Sequence, residues 1–238
     1  MKTRKLILSG GCGLSFGAAF ANTGLVLHTG TSVSHLTGDI ARMTMNIARW
    51  SPSMLPDLWR VGVAATGFLL GAMLAGFVIH HPTLDISRPY GRTVTGIGFL
   101  LLIAFFSVGR FPLLSIGLAA LGCGIQNSLA THYRGIVLRT THLTGMMTDF
   151  GVSLGLSIRG YDVPAWKIYV PLFLIVSFSL GGLLAASAQY AGIDAIGLAG
   201  IGYVFSGICW SVWKHRSRSK GDKQEAEQVG AGDAEDAV

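Results

Sequence analysis

A chain of 238 residues, 50% hydrophobic but only 13% charged, carries about half the charge of an average soluble domain and nearly twice the glycine, with 33 in all. Of its 12 acidic residues, six lie between Asp222 and Asp236, leaving Asp39, Asp57, Asp85, Asp149, Asp162 and Asp194 for everything before. That is too little charge to coat a soluble globule, which excludes an ordinary cytosolic enzyme, a nucleic-acid-binding domain and a disordered chain.

A bilayer core about 30 Å thick needs roughly 20 apolar residues as helix. Six runs meet that length: 6–27, 59–79, 93–109, 111–131, 168–190 and 192–213. Two weaker stretches, 35–50 and 140–158, are apolar on one face only. Trp50, Trp59, Trp166, Tyr169, Trp210 and Trp213 flank runs, as interfacial aromatics do. Residues 214–238 have no apolar periodicity, which predicts a disordered tail with a basic juxtamembrane start. Met1–Lys5 followed by an apolar run ending in Ala19-Phe20-Ala21 has the form of a cleavable signal peptide. The segment has a counterpart in mid-chain, however, so it is expected to stay. Cys12, Cys123 and Cys209 lie singly in apolar runs with no metal-ligand spacing, and are expected as small packing residues.

The counterpart is part of an ordered repetition. His35-Leu36-Thr37-Gly38 recurs as His142-Leu143-Thr144-Gly145, 107 positions on, and Gly11-Cys12-Gly13-Leu14 recurs nearly as Gly122-Cys123-Gly124-Ile125. Each HLTG segment is followed by a run rich in small residues, Gly67, Gly71 and Gly76 in one case and Gly181, Gly182 and Ala186 in the other. The expected fold is therefore an all-α polytopic membrane helical bundle with two internal repeats, six long spans plus two short HLTG-motif helices. Its parts are repeat 1 over 1–109, repeat 2 over 110–213 and the tail. Pairs such as Gly67 and Gly71 serve close helix packing. Gly38 and Gly145 stand in polar stretches, where glycine permits a break or a close backbone approach.

The two HLTG segments, the second preceded by Arg139-Thr140-Thr141, together with Gln126-Asn127 after the Gly-Cys-Gly run, resemble the YoaK-type family of bacterial membrane proteins over residues 10–213. The resemblance implies an inner-membrane helical bundle and no established activity. It covers His35, Thr37, Gly38, Gln126, Asn127, Arg139, Thr140, Thr144 and Gly145. Asp39 stands where that family usually has Asn, and Ser15-Phe16-Gly17 where it often has an acid in the first helix.

Charge at membrane depth is costly, by about 3 kcal/mol on insertion scales, and groups that persist there pair or line a wet path. Helical spacing puts His142, Gly145, Asp149 and Ser153 on one stripe, and His35, Gly38, Arg42 and Asn46 on the equivalent one. Arg42 and Asp149 occupy equivalent positions with opposite charge, so a two-fold axis between the motif helices would let them face each other. Asp39 beside His35 reads either as a first-turn acid on the helix dipole or as half of a proton relay. Gln126 and Asn127 read either as interhelical hydrogen-bonding groups or as solute contacts.

No nucleophile, metal or nucleotide motif is present, so no catalytic residue, metal, cofactor or nucleic-acid partner is expected. The lipid bilayer is the expected partner, with a small solute for a transporter; the sequence does not give the oligomeric state. The basic ends place both termini in the cytoplasm of an inner-membrane protein. If the HLTG helices cross, the halves are parallel and there are eight crossings; if they are re-entrant, the halves are inverted. Their length, about 24–28 Å, favours short crossing or broken helices in the centre. Two functions fit: a permease for a small solute with HLTG helices lining the path, or an assembly or sensory protein in which HLTG is a packing device.

Overall fold

The computed structural model describes residues 2–50, 52–79, 90–129 and 140–235. They form eight α-helices: α1 (Lys2–Thr29), α2 (Leu36–Ala48), α3 (Leu55–Ile79), α4 (Tyr90–Ser107), α5 (Pro112–Leu129), α6 (Leu143–Ile158), α7 (Trp166–Tyr190) and α8 (Ala195–Glu235). Six of them, all but α2 and α6, contain segments long and apolar enough to cross a membrane. The protein is an integral membrane helical bundle.

The helix ends follow the local sequence. Gly30, Gly160 and Gly192 adopt positive φ where α1, α6 and α7 stop, the left-handed stop that a side chain disfavours. Pro112 opens α5, where its missing N–H costs nothing. Asp194 caps α8, its Oδ1 accepting the N–H groups of Ile196 at 2.9 Å and Gly197 at 3.1 Å. The same carboxylate reaches His28 Nε2 at 2.7 Å through Oδ2, tying the end of α1 to the start of α8. Beyond the apolar run that ends at residue 213, α8 continues as helix to Glu235. Lys, Gln, Glu and Ala in that stretch are good helix formers and no proline interrupts them.

Glycine contacts fix how the spans run. A Cβ on Gly67 would meet the Gly117 carbonyl and one on Gly71 the Leu121 carbonyl, so α3 and α5 lie parallel with backbones touching. In the same way Gly11 packs on Leu174 and Gly182 on Thr23, so α1 and α7 are parallel. Gly91 meets Gly207 and Gly98 meets Gly200, which makes α4 and α8 antiparallel. Gly24 meets Ala195 and Gly17 meets Tyr203, which makes α1 and α8 antiparallel. With α4 and α5 joined by a tight turn, the spans α1, α3, α4, α5, α7 and α8 alternate in direction. Both α1 and α3, and likewise α5 and α7, are antiparallel although a helix intervenes, so α2 and α6 do not cross. The eight-crossing alternative is thereby excluded.

The core lies where α1, α5 and α8 converge on α3, α4 and α7: Ala18, Ala19, Leu25, Ala64, Ile97, Ile116 and Ile196 are all shielded from the surface. Ala19, Phe20 and Ala21 are all buried. Cys123 is buried among the same residues, Cys12 is partly buried and Cys209 is exposed; all three are free thiols.

Candidate functional site

The site is built by two chain segments that turn back into the bundle. After α1 ends, Gly30 reverses the chain and Thr31 and Val33 become buried. Asn22, seven residues back along α1, holds this segment: its Oδ1 accepts Ser32 Oγ–H at 2.9 Å, the Val33 N–H at 2.9 Å and the Ser34 N–H at 3.2 Å. At about 1.5 Å per residue the segment has returned roughly 10 Å below the end of α1. His35 follows, its ring edge-on to Phe178 at 5.2 Å between centroids. Phe178 is the midpoint of α7, so α2 begins at mid-depth and climbs back to Arg49 and Trp50 at the face it came from.

The second segment is anchored from α5. Gln126 is almost completely buried; its Nε2 donates to the Leu14 carbonyl of α1 at 2.7 Å and lies 3.4 Å from Thr140 Oγ1, while its Oε1 accepts the Tyr203 hydroxyl of α8. Asn127 Oδ1 accepts Thr141 Oγ–H at 2.7 Å. Thr140 and Thr141 are thus pinned, and His142 and α6 follow. Leu143 and Met146 pack with Leu174, Val170 and Cys12, in the half of α1 and α7 nearer their N-termini. From there α6 runs to Arg159 on the face opposite to Arg49.

The two motif helices begin at similar depth: His35 packs on Phe178 of α7, Gln126 joins Thr140 to the Leu14 carbonyl of α1, and Phe16 of α1 lies against Gly181 of α7. Neither ring caps its own helix. The two HLTG helices therefore start at similar depth and leave it in opposite directions.

This divergence decides several sequence expectations. Arg42 and Asp149 each lie six residues along their helices, about 9 Å from that depth on opposite sides, so roughly 18 Å of depth separates them and they do not face each other. Arg42 instead bonds Asp39 Oδ1 at 3.1 Å on its own helix. Asp149 is exposed on α6, with no described cation at ion-pair distance. Reversing both charges, Arg42→Asp with Asp149→Arg, is expected to give an additive stability loss, with a coupling energy below about 0.5 kcal/mol in a double-mutant cycle.

Asp39 takes a structural part, its Oδ2 accepting the Ser32 N–H at 2.9 Å and its Oδ1 meeting Arg42. It stands in the first turn of α2, where an acid complements the helix dipole. Gln126 and Asn127 hold the second segment in place. Thr37, Gly38 and Thr144 are exposed and His142 with them, whereas His35 and Gly145 are partly buried. The glycines differ: the His142 ring folds over Gly145 and fills the space of a Cβ, while nothing approaches Gly38. Arg139 lies outside the described residues. Ser15 and Gly17, where an acid was looked for, join helices, Ser15 Oγ donating to the Leu174 carbonyl at 3.1 Å and Gly17 lying under Tyr203.

Sequence reasoning passed over Asn22 and Tyr203. Each had a signal, a hydrogen-bonding side chain inside an apolar run.

A family model covers residues 10–209, and with it nearly every element described above. The chain belongs to DUF1275, described as a protein of unknown function. No curated protein and no solved structure gives a match. The match takes in both HLTG segments and both of their anchors, Asn22 and Gln126.

Proposed function

We propose that this chain is a permease for a small solute, built from two inverted halves whose re-entrant helices α2 and α6 line the path. The observation that carries this reading is the opposition of the two motif helices, which begin at similar depth within the bundle and leave towards opposite faces. Broken helices with ends at mid-depth belong to proteins that hold or pass a solute there, because irregular backbone is tolerated at that depth only against protein or a wet cavity.

The helix pairings favour a duplicated origin. Exchanging α1–α4 for α5–α8 turns the α1/α7 contact into the α5/α3 contact and returns α4/α8 to itself, and these are the bundle's most extensive pairings. The exchanged helices run oppositely, as an inverted repeat requires. Charge supports an orientation with both termini in the cytoplasm of an inner-membrane protein. Six alternating spans leave Arg42, Arg49, Arg60 and Arg110 on the outer side and every other described Lys and Arg on the side of the termini.

Helix N-termini carry free N–H groups and the positive end of the dipole. A path between two of them favours solutes with electronegative or anionic groups and disfavours cations. The test is reconstitution into liposomes with stopped-flow light scattering. Chloride and formate as potassium salts with a potassium ionophore, then urea and glycerol, serve as probes against protein-free vesicles. Faster volume change with at least one probe, abolished by bulky replacement of Gly145, is the expected result. Permeability equal to empty vesicles for every probe favours the assembly or sensory alternative.

A further inference from the structure

Basic residues from three helices gather at one level, on the side of the bundle where the chain begins. Gly11 of α1 packs on Leu174 of α7, and these two helices run parallel. Counting back seven residues on each puts Arg4 about level with Lys167. Gln126 joins the Leu14 carbonyl of α1 to the Tyr203 hydroxyl of α8, so these antiparallel helices are level there too. Nine residues back along α1 lies Lys5, and eleven residues on along α8 lies Lys214. Lys2, Arg4 and Lys5 of α1, Lys167 of α7, and Lys214 and Arg216 of α8 thus share one end of the bundle.

The spans supply no negative charge to balance them. No Asp or Glu precedes Asp39, and none lies between Asp194 and Asp222. The first turns of α1 and α7 hold no acid, although basic groups there oppose the helix dipole. Asp162, in the turn before α7, is exposed and makes no described ion pair. The opposite half is arranged differently: His28 pairs with Asp194, Arg42 with Asp39 and Arg60 with Asp57, all within 3.5 Å. Like charges gathered without a counter-charge repel one another, and an anion from outside the chain offsets that repulsion.

The depth of the cluster says which anion. Lys5 and Lys2 lie three and six residues before Leu8, where the apolar span of α1 begins, about 5 and 9 Å along the helix. Lys214 directly follows Trp213, at the end of the apolar run of α8. Trp166 and Tyr169 on α7 and Trp210 and Trp213 on α8 stand where interfacial aromatics stand. Headgroups extend about 5–8 Å beyond each face of the hydrocarbon core, which is the layer these cations occupy. Lipid phosphates are held at that depth, whereas a soluble anion is not.

We propose that this cluster binds an anionic glycerophospholipid, whose phosphate group sits among the ends of α1, α7 and α8. The site is independent of the permease reading, since it uses no residue of α2 or α6. Basic pockets between membrane helices recognise such headgroups by charge. Lys167 and Arg216 are exposed, so a headgroup reaches them from the bilayer.

Native mass spectrometry of the full chain, released from nanodiscs containing equal phosphatidylglycerol and phosphatidylcholine, tests this. The parent is expected to retain phosphatidylglycerol several-fold more than phosphatidylcholine. Combining Arg4→Gln, Lys5→Gln and Lys167→Gln is expected to bring the two lipids close to equal. The charge-keeping set Arg4→Lys, Lys5→Arg and Lys167→Arg is expected to keep the preference, as is Arg110→Gln at the opposite end. In detergent, added phosphatidylglycerol is expected to raise the melting temperature of the parent, and inorganic phosphate to leave it unchanged. Equal retention of both lipids by the parent, a preference that survives the glutamine set or is lost in Arg110→Gln, or equal stabilisation by inorganic phosphate would each overturn the proposal. If the glutamine set does not fold, the parent's lipid preference and the phosphate comparison decide alone.

Discussion

Replacing Gln126 by leucine is expected to lower the stability of the bundle by about 2–4 kcal/mol. Leucine keeps much of the volume, so packing loss is a minor part. What disappears is the junction of three elements: the bond to the Leu14 carbonyl of α1, the contact with Thr140 before α6, and the acceptor for Tyr203 on α8. Tyr203 is buried, and a hydroxyl left without a partner costs about 1–3 kcal/mol. Interhelical hydrogen bonds measured in membranes average only about 0.6 kcal/mol, which keeps the total from the full sum of three strong bonds. Tyr203→Phe removes one donor and strands only one oxygen, so it is expected to cost about 1 kcal/mol. Reversible unfolding by steric trapping in bicelles reads both values. A Gln126→Leu protein within about 0.5 kcal/mol of the parent contradicts the anchoring role.

Asn22→Ala is expected to act more locally and to damage the site more. One side-chain oxygen receives three donors from the returning segment, two of them backbone N–H groups. Alanine leaves those groups without their acceptor in a part of the chain where Thr31 and Val33 are buried, a cost of about 2–3 kcal/mol concentrated in residues 31–35. The segment then no longer holds His35 against Phe178. Hydrogen exchange over residues 31–36 is expected to accelerate far more than exchange in α3 or α5. Ser32→Ala removes one of the three bonds and is expected to fall between Asn22→Ala and the parent. Uniform acceleration across all spans would mean that Asn22 supports the bundle in general and has no special hold on α2.

The large features were legible because bilayer physics writes them in composition. All six spans lie within a few residues of the apolar runs, and both HLTG segments open short helices at the expected places. Both HLTG segments stood out because polar groups repeated at membrane depth need each other or water. The pairing of Arg42 with Asp149 was misleading because equivalence on a helical wheel carries no information on direction. Two helices that start at similar depth and diverge take equivalent positions apart at about 3 Å for each residue pair. Gly38 and Gly145 look alike in sequence, yet only the second lies under a folded-back histidine, a contact that depends on the His142 rotamer. Asn22 was hidden by its setting, one amide within the apolar run of the first span.

The central claim is that α2 and α6 enter from opposite faces and return without crossing. Single cysteines at Arg49 and Arg159, the residues that end the two helices, test it most directly in a background without Cys12, Cys123 and Cys209. A membrane-impermeant maleimide applied to intact spheroplasts, then to inverted vesicles, reports the side of each. The account predicts labelling of Arg49→Cys only from outside and of Arg159→Cys only from within. Labelling of both from the same side would mean that the HLTG helices cross the membrane and that the halves are parallel.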